Sequence, residues 1–108
     1  MCIRDRPATD AAADAAAAQR MDGHLNRWYL DPVLRGSYPA DVLDLYAEAG
    51  APLDVVRDGD LEAISTPLAF VGVNYYMPFR IADAPEEPVL RLRHAEPHGE
   101  LTLSLIHI

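Results

Sequence analysis

Hydrophobic and polar positions divide the chain into an alanine-rich opening, an aromatic-rich middle and one unbroken apolar run near residue 70. From Ala8 to about Leu25 no Gly or Pro intervenes before Gly23, and alanine dominates. Alanine has the best helix propensity, so this stretch predicts a helix despite its weak apolar stripe, with Thr9 or Asp10 to cap it. Residues 26–39 carry three aromatics, two prolines and a glycine, a density that predicts an irregular but packed connection. Pro39 suits the first turn of a helix from Ala40 to Ala49, with Val42, Leu43, Leu45 and Tyr46 as its apolar face and Gly50 as its stop. Asp58-Gly59 signals a turn, and Leu61 to Ser65 a further helical turn.

The clearest predicted strand is Leu68-Ala69-Phe70-Val71-Gly72-Val73-Asn74-Tyr75-Tyr76. It is apolar on both alternating faces through Val73, as a central parallel strand covered on both sides must be. The chain after Met77-Pro78 is Pro-rich and acidic to Pro88, and Val89 to Arg93 reads as a short exposed strand. A buried parallel strand needs neighbours, and no second strand of comparable quality is present. The pattern reads as an excerpt from a larger α/β protein. No internal repeat appears.

Composition narrows the partners. The 108 residues hold 17 acidic and nine basic side chains, for a formal charge of −8. That argues against nucleic acid or an anionic membrane as partner, since both select basic surfaces. No apolar run approaches the roughly 18–20 residues that span a bilayer. One cysteine makes no internal disulfide.

The two ends look foreign to the rest. Met1-Cys2-Ile3-Arg4-Asp5-Arg6 can be encoded as ATG TGT ATA AGA GAC AG, whose reverse complement, with one flanking C, encodes Leu103-Ser104-Leu105-Ile106-His107-Ile108. Both termini thus read as one short DNA element in opposite orientations, resembling a transposon-type sequencing adapter. On this reading residues 1–6 and 103–108 are adapter translations, and 7–102 are a fragment of one domain. Cys2 then carries no redox information. The natural N-terminus would lie upstream of Pro7, and the cytoplasm is the expected location.

Candidate chemistry gathers where the predicted strand ends. In parallel α/β sheets functional side chains sit at the carboxyl ends of strands, the position of Asn74, Tyr75 and Tyr76. Strand alternation points Asn74 and Tyr76 the same way. An amide and a phenol side by side can orient a carboxylate or a substrate hydroxyl, and the same residues serve equally well as packing and turn groups. His24, His94 and His98 lack zinc-site spacing, so no metal is expected. Glu86 and Glu87 read as a solvated loop face, and Asp10, Asp14 and Asp22 as capping or surface groups. No phosphate loop, nucleophile elbow or catalytic-histidine arrangement is present.

Two longer motifs carry a resemblance. Asp22-Gly23-His24-Leu25-Asn26-Arg27-Trp28-Tyr29-Leu30-Asp31-Pro32-Val33-Leu34-Arg35-Gly36-Ser37-Tyr38-Pro39 resembles the N-x-[WF]-[FY]-L-D-P-h-h-x-G-x-Y-P pattern of family 1 glycoside hydrolases, the β-glucosidase family. Pro67 to Tyr76 is similar to that family's D-F-h-G-h-N-Y-Y strand, with Ala69 in place of the aspartate. Met77 follows in place of a small hydroxyl residue. The resemblance spans roughly residues 8–90.

It implies an α/β fold, part of a (β/α)8 TIM barrel from the helical layer after the fifth strand through the sixth. It also implies retaining hydrolysis of terminal β-D-glucosides by two glutamates about 5 Å apart, without cofactor. The family's Asn-Glu-Pro and Glu-Asn-Gly motifs, which carry those glutamates, do not occur here, so no catalytic residue is expected in this chain. Glu48, Glu62, Glu86, Glu87, Glu96 and Glu100 all stand in other contexts. The resemblance gives Tyr76 a hydrogen bond to the missing nucleophile and gives Asn74 a place near the acid/base and the sugar. The Trp28 to Pro39 segment would be architectural. The expected partner is a β-glucoside or oligosaccharide, with β-galactosides or 6-phospho-β-glycosides as alternatives. A competing reading is a small acidic interaction module anchored by Trp28 and Tyr29. Neither reading fixes an oligomeric state.

Overall fold

The structure, a computed structural model, describes residues 5–74 and 78–95. Tyr75, Tyr76, Met77, Glu96, His98, Glu100 and the 103–108 segment therefore lie outside the described residues. The chain forms two compact units, one from residues 1–22 with 72–108 and one from 23–71.

In the first unit the alanine-rich opening becomes helix α1, Ala12–Asp22, which packs on a three-stranded sheet. Its start falls later than the pattern predicts because Thr9 holds the entry from outside. The Thr9 hydroxyl accepts the Ala11 N–H (3.2 Å) and donates to Asp14 Oδ2 (2.5 Å). The sheet runs β1 (Asp5–Pro7), β2 (Phe79–Asp83), β3 (Leu92–His94) in that spatial order. β1 lies parallel to β2, with Asp5 opposite Phe79 and Pro7 opposite Ile81. β3 is antiparallel to β2, with Ile81 opposite His94 and Asp83 opposite Leu92. The core is small. Ala17, Ala18 and Met21 of α1 are buried, as are Ile81, Ala82 and Ala84 on and just after β2. Asp22, expected at the surface, is also buried, because the last turn of α1 faces inward.

The α1–sheet contact is locked by polar groups. Asp14 Oδ1 accepts the Asp83 N–H (2.8 Å), and Arg20 forms an ion pair with Asp83 (2.8 Å). The hydrogen bonds from Thr9 and then from the Asp83 main chain hold the Asp14 carboxyl below the ordinary carboxylate value.

In the second unit the chain takes a π-turn, Gly23–Arg27, and then a helix α2, Trp28–Arg35. The irregular connection predicted for residues 26–39 is thus mostly helical. Its turn-forming residues sit at helix ends: Gly36 closes α2 with a left-handed φ of 70°, and Pro39 stands at the N-cap of the next helix. Pro32 alone lies inside α2. Helix α3, Ala40–Glu48, follows as the pattern predicts, burying Val42 and Leu45. A 3-10 turn (Leu53–Val55) and helix α4 (Asp60–Ile64) complete the unit, with Gly59 at φ 92° in the predicted turn before α4.

The strand predicted over 68–76 does not form over its described part. Residues 66–74 belong to no helix or strand, and Leu68, Phe70, Val71 and Val73 are exposed, Phe70 at 83%. The physical reason is a missing ladder: a strand is held by main-chain hydrogen bonds to neighbours, and no described strand runs beside this segment. The strand that does carry the sheet, β2, arises from the Pro-rich stretch where none was predicted. The strand expected at Val89–Arg93 is shifted to Leu92–His94, since Val89 and Leu90 lie in the turn after β2.

Two tests follow from this packing. A Cβ at buried Gly23 would meet Val42 Cγ2 at 2.5 Å. Gly23→Ala should therefore destabilise the chain by about 1–3 kcal/mol through overpacking. Adding Val42→Ala should recover part of that loss as a favourable coupling in a double-mutant cycle of denaturant midpoints. Asp14 has a folded value below its ordinary 3.8, so its stabilising effect is complete above that pH and disappears as pH falls through the lowered value. Asp14→Asn should flatten this part of the acid dependence of stability, measured by denaturation across the acid range.

Candidate functional site

The sequence places candidate chemistry at Asn74 and Tyr76. Asn74 is described: it is exposed, in an irregular segment of the first unit, five residues before β2 begins. Tyr76, the other candidate, lies outside the described residues. Beyond that segment, β2 is held on three sides, by β1, by β3 and by α1.

Among the described residues the glutamates offer no alternative centre. Glu48, Glu62, Glu86 and Glu87 are all exposed, and none is held in a pair suited to general acid and nucleophile. Among the described residues no group of three or more His, Cys, Asp or Glu side chains could hold a metal ion. No described helix is long and apolar enough to cross a membrane.

The motif residues of the second unit converge on an aromatic cluster. Trp28 stacks on Tyr38, with ring centroids 4.7 Å apart and planes 24° from parallel. Tyr46 meets the same indole edge-on at 4.8 Å, and its hydroxyl lies 2.6 Å from His24 Nδ1. Arg27 donates two parallel hydrogen bonds to the Asp41 carboxylate, at 2.8 and 2.7 Å. This pair ties the π-turn to the first turn of α3. Burial pushes the Tyr46 phenol above its ordinary value, and Tyr29 adds charge repulsion in the same direction.

The cluster is a brace rather than a binding face. Trp28 is engaged by both Tyr38 and Tyr46, so of the two anchors imagined for an interaction module Tyr29 is the exposed one, at 64%. The architectural role that the resemblance gives to Trp28–Pro39 fits this geometry. Sequence reading missed the contacts of His24 with Tyr46 and of Arg20 with Asp83. Each joins residues far apart in the chain, and no local spacing announces them.

Two motifs and a helix packed on a small mixed sheet define the class: part of an α/β protein. The model of glycosyl hydrolase family 1 matches residues 3–100, and the chain belongs to that family. Over 69 residues it is 51% identical to beta-glucosidase A of Enterobacter agglomerans, covering 63% of this chain and 14% of that protein. Over 98 residues it is 31% identical to the 6-phospho-beta-glucosidase GmuD of Bacillus subtilis strain 168, covering 85% of this chain and 21% of that protein. Its fold superposes on the crystal structure of the GH1 beta-glucosidase from Exiguobacterium antarcticum B7 with a TM-score of 0.80 at 32% identity, covering 86% of this chain and 21% of that one. The chain spans between a seventh and about a fifth of the length of these relatives. Its fold class is α/β, a partial (β/α)8 barrel.

The Tyr46 site has a readable signature. With a folded value above 10.0, the phenol contributes stability that is complete below that pH and is lost as pH rises through the raised value. Ultraviolet difference titration should resolve a tyrosine ionising above the ordinary phenol value. Tyr46→Phe should remove it and cost about 0.5–1.5 kcal/mol through the lost hydrogen bond to His24.

Proposed function

We propose that this chain is the part of a retaining β-glycosidase lying between its two catalytic glutamates, and that the whole enzyme is a β-glucosidase. The observation that carries the reading is the family match over residues 3–100, joined to a β-glucosidase relative 51% identical over 69 residues. The chain holds no Asn-Glu-Pro and no Glu-Asn-Gly, and its described glutamates are all exposed. The acid/base is read as lying before Pro7 and the nucleophile after Thr102, with the ends of the chain as adapter translations. In such an enzyme one carboxylic acid protonates the leaving oxygen. The other carboxylate, about 5 Å away, attacks the anomeric carbon to form a glycosyl-enzyme that water then hydrolyses.

The residues of this chain support that chemistry. Tyr76 is assigned to donate its phenolic O–H to the nucleophile, which keeps that carboxylate ionised and aimed. Asn74 is assigned to the sugar site near the acid/base. A second reading, a 6-phospho-β-glucosidase, is favoured by the 31% identity to GmuD.

Four measurements test this assignment. The DNA flanking the segment should encode Asn-Glu-Pro upstream and Glu-Asn-Gly downstream, and should depart from the present sequence at Pro7 and near Thr102. The complete enzyme should hydrolyse an aryl β-glucoside faster than the corresponding 6-phospho-β-glucoside or β-galactoside; the reverse order selects the second reading or a β-galactosidase. The 108-residue chain alone should hydrolyse none of them. Hydrolysis by the isolated chain would place the glutamates inside it and overturn the assignment. In the complete enzyme, Tyr76→Phe should lower kcat about tenfold or more, roughly 1.4 kcal/mol of barrier.

A further inference from the structure

We propose that Arg20 is a positioning residue for the glycosidase reaction, acting through the turn that anchors the strand leaving the Asn74 segment. This rests on the reading of function above. Arg20 lies in the last turn of α1, half-buried, and its guanidinium reaches three acceptors 63 to 71 residues away in sequence. Nε donates to the Leu90 carbonyl at 2.7 Å, and Nη2 donates to Asp83 Oδ1 at 2.8 Å and to the Arg91 carbonyl at 3.0 Å. The planar fork of arginine makes this grip possible, whereas lysine presents a single point of charge.

The turn gripped in this way is not one the chain adopts freely. Val89 and Arg91 both hold left-handed backbone, at φ 60° and 52°. For a β-branched residue such as valine this conformation is a true outlier, and it persists only where the surroundings over-determine it. Arg20 supplies the determination. The Arg91 carbonyl accepts both from Arg20 and from the Ala84 N–H (2.9 Å), so the clamp closes the turn at its neck. Asp83 is held twice more from α1, by its carboxylate on Arg20 and its N–H on Asp14.

The same turn fixes the far end of the strand that follows the candidate site. β2 runs from Phe79 to Asp83, so the clamp holds its far end while Ile81 and Ala82 are buried along it. Asn74 lies five residues before that strand begins. A strand fixed at Asp83 sets where the backbone from Asn74 must arrive; released, it leaves Asn74 a wider range of positions. Arg20 itself touches no part of the sugar.

The test uses the complete enzyme that carries this segment. Arg20→Met keeps the apolar stem and removes every donor, and Arg20→Lys keeps the charge without the fork. Competent sites are counted by the burst of aryl leaving group, so that loss of folded enzyme is divided out. Arg20→Met should lower kcat per competent site about tenfold while KM stays within about twofold. Arg20→Lys should fall between that variant and the wild type. Adding Val89→Gly to Arg20→Met should restore most of the loss, because glycine takes a φ of 60° without strain and keeps the turn in shape without the clamp. An unchanged kcat per competent site in Arg20→Met, with only a lowered melting temperature, would reduce the clamp to a structural tie and overturn the proposal. Should Arg20→Met yield no folded enzyme, Arg20→Lys alone decides, its kcat per site falling or standing unchanged. A wild-type enzyme that hydrolyses no β-glycoside would instead sink the reading of function and this inference together.

Discussion

The close approach of α1 to β2 is the contact on which the first unit depends. Helix and sheet pack through residues with almost no side chain, Ala17 and Ala18 from one and Ala82 and Ala84 from the other, around the fully buried Ile81. Small residues bury little area each, so apolar contact alone holds such a layer weakly. The polar groups at its margin, Asp14 and Arg20 on the helix and Asp83 on the strand, compensate by directed hydrogen bonds. The alanine run that looks featureless in sequence is therefore a requirement of the fold: larger side chains would push α1 away and pull those three groups out of reach.

The second unit solves the opposite problem. Its helices are short, and α2 and α4 are too brief to stand as isolated helices in water. α2 is held by the stacking of Trp28 on Tyr38 and Tyr46, and α4 packs against α2. Gly23 shows how tightly the pieces fit, with Val42 occupying the space a side chain would need. The long motif between Asp22 and Pro39 reads, in this light, as instructions for bracing: aromatics to fill, a glycine for the left-handed end of α2, a proline to open α3.

Helices were legible where propensity and punctuation agree, as at Ala40–Glu48 between Pro39 and Gly50, and at Asp60–Ile64 after Gly59. Between residues 26 and 39 the same punctuation marks misled, because Gly36 and Pro39 end and begin helices rather than exclude them. Strands were less legible. A strand is a property of a pair: the apolar run at 68–73 reads as a strand but forms none, while β2, in a stretch with poor local signals, is the one that finds partners. For the site, the family of hydrolases was readable from two motifs, whereas the grip of Arg20 on residues more than sixty positions away was not, since no local rule connects them.

The uncovered run from Leu68 to Val73 bears on how this chain would behave as a separate molecule. Leu68, Phe70, Val71 and Val73 stand exposed in an extended stretch without a charged side chain, the composition from which intermolecular sheets are seeded. Against this stands a net charge of −8, which makes copies repel one another over about a Debye length. Colloidal behaviour is thus a contest between one sticky ribbon and a diffuse negative cloud, and salt decides it. Screening the cloud leaves the ribbon free to zip, so a dilute buffer of low ionic strength is the condition in which the separate chain stays dispersed.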